Sequence, residues 1–427
     1  MKVIVGEEIL VYSVPVNEHT KKWGVYSIPR MWREIGGKLV IRLNGEMDCG
    51  DTDNQQILPN LYFVSDDDGK SWLPEPDGDS KYPCDILNGI SAPCTKVQNY
   101  TLAFREQKGR EAIRNAPRQK EFMMPNGEAV VYAYRYGDIP DECKGLEQIR
   151  YVPGRPAEVF PVDIQFPERE ILVNAIGEMD GEYKEVEQRV RQTVFKSPYF
   201  SSVTPIPDGT LVAVSCGQHP AVSSRYCGAA YLLESRDMGI TWKERSTIAA
   251  STGLPYGYTG DGNETSLALT QNGVLLCAMR MDMSINPDIA SPICDTMVAL
   301  SRDYGYSWEA PFSISDSSVT PQAVAFENGA VAVVYGRPGV HLKYSADDGK
   351  TWSDSVSIIG KTLEEYRKDG VSDADCKYFN TCSYSNVFVE KISGNTMLVL
   401  YNNAKYDEGD GVCHKAAFVR TVTFAEE

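Results

Sequence analysis

The residues of this sequence best suited to chemistry stand at matched distances from short turns. Glu264 lies nine residues before Gly273, and Tyr384 lies ten before Gly394. Arg42, Arg135 and Arg280 close the strand-like runs that follow such turns, and Arg337 follows the run Val331 to Gly336. A guanidinium presents a planar fork of N–H donors that captures a carboxylate through two bonds at once, so a recurring set of them reads as an anion clamp. For any single arginine taken alone, an ordinary ion pair is the simpler reading. A third group is the stretch Asn44-Gly45-Glu46-Met47-Asp48-Cys49-Gly50-Asp51-Thr52-Asp53, with four carboxylates in one loop. By itself such a cluster reads as a solvated surface.

The elements that position these residues follow from two repeats. The first is an octapeptide, S-x-D-x-G-x-[S/T]-W, found at Ser65 to Trp72, Ser235 to Trp242, Ser301 to Trp308 and Ser345 to Trp352. Its residue types describe a β-turn: Asp hydrogen-bonds nearby backbone N–H groups, Gly supplies positive φ, and Trp anchors the next strand in apolar surroundings. It resembles the Asp-box of β-propellers, a folding device, so its carboxylates are not read as catalytic. The second repeat is a short turn followed by an aliphatic run, with glycines at 37, 127, 209, 273, 329 and 394. Six turns, spaced 56 to 90 residues apart, each suit one four-stranded blade.

The fold class is therefore all-β: a six-bladed β-propeller of four-stranded antiparallel blades with Asp-box turns, read as one domain over residues 1–427. The runs Val3 to Val14 and Ala416 to Phe424 both alternate like strands, and pairing them in one blade would close the ring. Helical periodicity is confined to Thr362 to Lys368 and Lys184 to Arg191, both expected in insertions. Pro74 to Glu121 and Asp138 to Lys196 carry no repeat signal and are expected to form loops or a partial lid.

Composition bounds the partners. The chain has 42 Lys plus Arg against 59 Asp plus Glu, a net charge of −17, which argues against general nucleic-acid binding. No window reaches the apolar length of about 18 to 20 residues that a membrane span needs, and mean hydropathy is −0.32. Eleven cysteines without CxxC spacing read as reduced thiols. The four histidines, 19, 219, 341 and 414, form no HxxxH or His/Cys pattern, so the reading is of no metal site and no cofactor. With no signal peptide visible at the first residues, a cytoplasmic location is expected, or a secreted or periplasmic one for a trimmed chain. The sequence leaves oligomeric state open.

Asn263-Glu264-Thr265-Ser266-Leu267 with Arg280, and Tyr384-Ser385-Asn386 leading into Leu398-Val399-Leu400-Tyr401, are similar to segments of the sialidase (neuraminidase) superfamily of Asp-box propellers. The resemblance spans nearly the whole chain in architecture. It implies that Tyr384 is the nucleophile, that Glu264 is its base, and that Arg280 and Arg337 belong to a triad holding the substrate carboxylate. The first triad arginine departs from the family pattern: the family's Tyr/Phe-Arg-Ile-Pro reads Tyr26-Ser27-Ile28-Pro29-Arg30 here, with Ser27 in the arginine's place. Arg30 or Arg33 from a shifted strand, or Arg135, stands as the substitute. The family also places an acid/base Asp in the loop before the first box, where Asp51 and Asp53 fit best and Asp48 and Glu46 stay open.

What the resemblance implies is a retaining exo-glycosidase that releases terminal sialic acid or a related acidic nine-carbon sugar from a glycan or sialoside. A neutral phenol attacks such a centre better than a carboxylate, which the sugar's own carboxylate would repel. The competing readings are a propeller glycosidase or lyase for a uronic or other sugar, and a non-catalytic carbohydrate-binding propeller.

Overall fold

The structure is a computed structural model, and it describes residues 1–22, 24–45, 58–75, 82–83, 115–116, 120–135, 145–155, 157–165, 169–179, 182–192, 202–218, 228–250, 263–282, 294–372 and 384–425. Within them the chain forms six antiparallel blades. Blade 1 runs Pro29–Arg33, Leu39–Leu43, Leu61–Ser65 and Leu73–Pro74; blade 2 runs Phe122–Met123, Ala129–Arg135, Gly145–Tyr151 and Glu158–Pro161. Blade 3 runs Val203–Pro205, Leu211–Gln218, Gly228–Ser235 and Thr241–Ala250, with Asp163–Gln165 added in parallel at its outer edge. Blade 4 is Asn263–Leu269, Leu275–Asp282, Cys294–Ser301 and Phe312–Ser315, and blade 5 is Gln322–Ala325, Val331–Gly336, Val340–Ser345 and Val356–Ile359. Blade 6 is Tyr384–Ser393, Thr396–Asp407 and Cys413–Ala425, completed from the other end of the chain by Lys2–Val5 and Ile9–Pro15, which both pair with Cys413–Ala425. The expected union of the two ends in one blade is thus present. All six turn glycines fall in the hairpin between first and second strands.

The core is a set of layers between blades. Second strands are buried on both faces, so their sequences are continuous apolar runs whose alternate residues serve opposite neighbours. Leu275, Cys277 and Met279 pack with Val212, Val214 and Leu232 of blade 3, while Leu276 and Ala278 pack with Val331, Val333 and Tyr335 of blade 5. Equivalent layers join blades 2 and 3, 5 and 6, and 6 and 1. Each fully buried Leu or Val contributes about 1.5–3 kcal/mol, so the ring is held by many equal joints.

The octapeptides are the turns between third and fourth strands of blades 1, 3, 4 and 5. In blade 5 the Ser345 hydroxyl donates to Asp347 (2.7 Å) and accepts from the Gly349 N–H (2.8 Å), Asp347 accepts from the Thr351 N–H (2.8 Å), and Trp352 Nε1 donates to the Gly349 carbonyl (3.0 Å). Blades 1 and 3 repeat this pattern, and blade 4 differs in sending Trp308 Nε1 to Ser246. The box glycine also touches the preceding blade: a Cβ on Gly305 would lie 2.0 Å from Leu232, and one on Gly69 2.3 Å from Leu398.

Two readings of the sequence are corrected. Lys184 to Arg191 is not helical; it lies in the strand Glu182–Gln192, which pairs along its full length with Arg169–Met179. Val186 and Val190 satisfy a period of two as well as a helical period, and the backbone ladder with a neighbouring strand decided between them. Asp138 to Lys196 is likewise more than loops, since it includes the third and fourth strands of blade 2. The helix at Leu363–Lys368 does form, with a reciprocal capping box between Thr362 and Glu365.

Candidate active site

Glu264 stands at the start of the first strand of blade 4, where the pairing Asn263 with Arg280 is followed by a register shift before Ser266. Such an irregularity re-aims a side chain. Glu264 has a left-handed backbone, φ +46°. Seven non-glycine residues among those described have positive φ, and four of them, Asp68, Met238, Tyr304 and Asp348, share one box position whose turn demands it. Glu264 and Thr320 (φ +44°) have no such local cause, and strain of this kind, about 1–3 kcal/mol each, persists where surrounding contacts over-determine it. The contacts are visible. Glu264 Oε2 accepts from Arg280 Nη1 (3.2 Å) and from the Thr320 N–H (2.8 Å). Arg280 Nη2 donates to Cys294 Sγ (3.5 Å).

Thr320 extends this arrangement to blade 6. Its hydroxyl accepts from the Val387 N–H (2.9 Å), three residues past Tyr384 in the same strand. Tyr384 itself pairs with Asn403, and a register shift separates it from Val387, as one separates Asn263 from Ser266. Similar hydroxyl bridges join neighbouring first strands elsewhere, Ser202 to Leu267 and Ser266 to Ala323. The strands carrying Glu264 and Tyr384 therefore have their relative height fixed through one residue of blade 5. Thr320 has no signature in the sequence: it precedes Pro321, a setting that ordinarily favours extended backbone.

The arginines do not occupy one blade position. Leu39, Leu275 and Val331 each pair with a box serine, and counting on from them Arg42 is third, Arg280 fifth and Arg337 sixth. Parity then sorts them. Arg280 shares the alternation of Leu276 and Ala278, directed to blade 5, whereas Arg337 lies past the end of Val331–Gly336, in the turn before Val340, where that alternation stops. Arg280 reaches the joint that holds Glu264. Arg30 and Arg42 form a register pair on blade 1 with the parity of Trp32 and Val40, away from the blade 6 layer that contains Met31, Leu39 and Ile41.

A second charged group was missed by sequence reasoning. Burial pulls Lys120 below the usual lysine range, with the Arg30 charge adding to the effect, and pushes Glu390 above the usual carboxylate range; attraction between Lys120 and Glu390 opposes both shifts. Lys120, just before the first strand of blade 2, holds the same place relative to its hairpin as Arg30 does. That equivalence was open to sequence comparison between blades.

The remaining candidates are placed as follows. Ser27 is buried, its hydroxyl turned back to the Val25 carbonyl (3.3 Å). Arg33 is tied to the Gly37 carbonyl (2.6 Å) and to Asp68 (3.0 Å) at the hairpin and box turns of blade 1, remote from the start of the strand, which removes it as a substitute for the first arginine. Arg135 is described in its backbone, opposite Gly145. Glu46, Asp48, Asp51 and Asp53 lie outside the described residues. No described helix is long and apolar enough to cross a membrane.

Residues 188–392, just under half of the chain, match the family model described as a BNR repeat-like domain. The chain is a six-bladed β-propeller that carries a BNR repeat-like segment. This bears out the resemblance to Asp-box, BNR-repeat propellers. No curated protein matches by sequence. Among solved structures the BNR-repeat propeller is similar to a protein of unknown function from Dyadobacter fermentans, with 15% identity over 99% of each chain and a TM-score of 0.55. It is also similar to the α-L-arabinofuranosidase Arb93A from Fusarium graminearum, solved with an iminosugar inhibitor, with 12% identity over 98% of each chain and a TM-score of 0.51. The NanB sialidase from Streptococcus pneumoniae aligns at 12% identity over 96% of this chain and 70% of its own, with a TM-score of 0.44.

Proposed function

We propose that this BNR-repeat propeller is a retaining exo-glycoside hydrolase of the sialidase type, acting on a terminal acidic sugar. The observation that carries the reading is Glu264: a strained carboxylate held by Arg280 and the Thr320 N–H, on a strand whose height is set against that of Tyr384. Glu264 takes the Tyr384 proton as the phenolic oxygen attacks the anomeric carbon, and Asp51 or Asp53 protonates the departing glycosidic oxygen. Water then enters on the same face, the carboxyl that gave its proton takes one from it, and the C–O bond to Tyr384 breaks with the proton returned to the phenol. Arg337, Arg30 and Arg135 are the groups offered to the substrate carboxylate, with Arg280 shared between it and Glu264.

One observation favours a second reading, a glycosidase or lyase for a different sugar. Both terminal nitrogens of Arg280 already contact Glu264 and Cys294, and Ser27 in the first arginine's place is buried. The test is hydrolysis of aryl α-sialoside, uronide and arabinofuranoside by the wild type, Tyr384→Phe and Glu264→Gln, with thermal melting of each. Sialoside turnover that falls about 10²–10⁴-fold in both variants at unchanged melting supports the proposal. Turnover of another glycoside alone moves the reading to that sugar, and wild-type inactivity on all three overturns it in favour of binding alone.

A further inference from the structure

We propose that Glu408, Asp410 and His414 form a binding site for a divalent transition-metal ion of the zinc class, in the hairpin between Thr396–Asp407 and Cys413–Ala425 of blade 6. One ligand atom from each, including a ring nitrogen and two carboxylate oxygens, lies within 4.8 Å of the others. Two exposed acids alone would say nothing; the histidine points to an ion. Its side chain is 6% exposed, and Nδ1 is 3.0 Å from the Val412 carbonyl, which can only accept. Nδ1 therefore carries the hydrogen, and in the neutral ring Nε2 presents its lone pair, the tautomer that metal-bound histidines adopt. That lone pair is aimed between Asp410 Oδ2 at 3.6 Å and Glu408 Oε2 at 3.8 Å, and makes no hydrogen bond among the described residues.

Those separations are too long for hydrogen bonds. They approach the gap of about 3.3–3.6 Å between ligand atoms that each lie about 2.0–2.2 Å from one tetrahedral ion. Asp410 is held for the task, since its other oxygen accepts from the Val412 N–H (2.9 Å). Glu408 and Asp410 side chains are 38% and 48% exposed, leaving a face from which an ion can enter and a fourth ligand, water, can be taken. One histidine with two carboxylates is a borderline donor set suited to zinc and its neighbours rather than to calcium or magnesium. Cys413, the adjacent thiol, alternates to the opposite face of the strand and approaches the Ala404 carbonyl (3.9 Å), so it is excluded from the set. The site lies beyond the pair Tyr384 with Asn403, at the same end of the blade, where an ion would clamp the rim hairpin.

The test uses the full chain, titrated with Zn²⁺ against a chromophoric indicator and with Co²⁺ followed by its visible ligand-field bands. The wild type and Cys413→Ser are expected to bind one equivalent more tightly than Asp410→Asn and His414→Ala by at least about tenfold, within the 10–100-fold range typical of lost metal-site groups. The tetrahedral Co²⁺ bands are expected to vanish in both of those variants. Asp410→Asn changes an exposed side chain and keeps the comparison valid if His414→Ala fails to fold. Equal uptake by the wild type and Asp410→Asn, or loss of the equivalent in Cys413→Ser, overturns the proposal.

Discussion

Gly305→Ala puts the joint between blades to a quantitative test. Gly305 has φ +90°, a conformation that costs an L-residue about 1–2 kcal/mol. The new Cβ would lie 2.0 Å from Leu232 Cδ2, and Leu232 is fully buried in blade 3, so its side chain must leave its well or the blades must part. Overpacking of this kind costs about 1–3 kcal/mol. Together the expected loss is about 2–5 kcal/mol. Gly329→Ala is the internal control: φ is +83° but nothing lies within 4 Å of the added carbon, so only the backbone cost of about 1–2 kcal/mol applies. Leu232→Ala alone opens a cavity at about 2–5 kcal/mol, yet the pair with Gly305→Ala should be less damaging than the sum by about 1–3 kcal/mol. Equilibrium urea unfolding followed by tryptophan fluorescence gives all four values. A Gly305→Ala loss no larger than that of Gly329→Ala, or a strictly additive double variant, would refute the reading of the box glycine as an inter-blade contact.

Thr320→Val keeps the side-chain shape but removes the acceptor for the Val387 N–H; turnover is expected to drop at least about tenfold with a shifted pH profile, and Thr320→Ser is expected to restore both. The box carboxylates predict acid sensitivity. Against desolvation, which raises Asp303 and Asp347, hydrogen bonds from box hydroxyl and backbone groups hold Asp67, Asp303 and Asp347 at about 2, below the ordinary 3.8. A depressed folded pKa stabilises above the unfolded value and is lost as pH falls through the folded one. Stability should therefore decline between about pH 4 and pH 2, and Asp347→Asn should be less stable at neutral pH with a shallower decline, read by thermal melting across that range. Because Asp67 and Asp303 are exposed and Asp347 is half-buried, the effect per box is small, about 1 kcal/mol or less after screening.

Much of the fold was legible because its signals are local. A box specifies its own turn through Ser345, Asp347 and Gly349 without help from distant chain, and each hairpin glycine marks a first-to-second strand connection. Buried second strands such as Val331–Gly336 announce themselves as unbroken aliphatic runs. What sequence hid depended on register. Arg280 and Arg337 look alike as arginines ending strands, and only pairing shows that Arg280 lies within its strand while Arg337 falls in the turn beyond it. Thr320 acts through its backbone N–H and a hydroxyl bridge to a blade 67 residues further on, which no local pattern encodes. The hairpin set Glu408, Asp410 and His414 was passed over because metal patterns were sought among His and Cys alone.

The seam of blade 6 bears on how the molecule is made. Lys2–Val5 and Ile9–Pro15 are made before the other described strands, yet their sheet partner among the described residues is Cys413–Ala425, made after all of those. Until then they are unpaired strand edges, and every blade between them can assemble without fixing the circle. Closure therefore waits for Cys413–Ala425, when Glu8 meets Tyr401 and Arg420 across the seam. Nascent chains halted before residue 413 would expose a sticky edge at one end and its missing complement at the other, which is a route to chains closing on one another instead of on themselves.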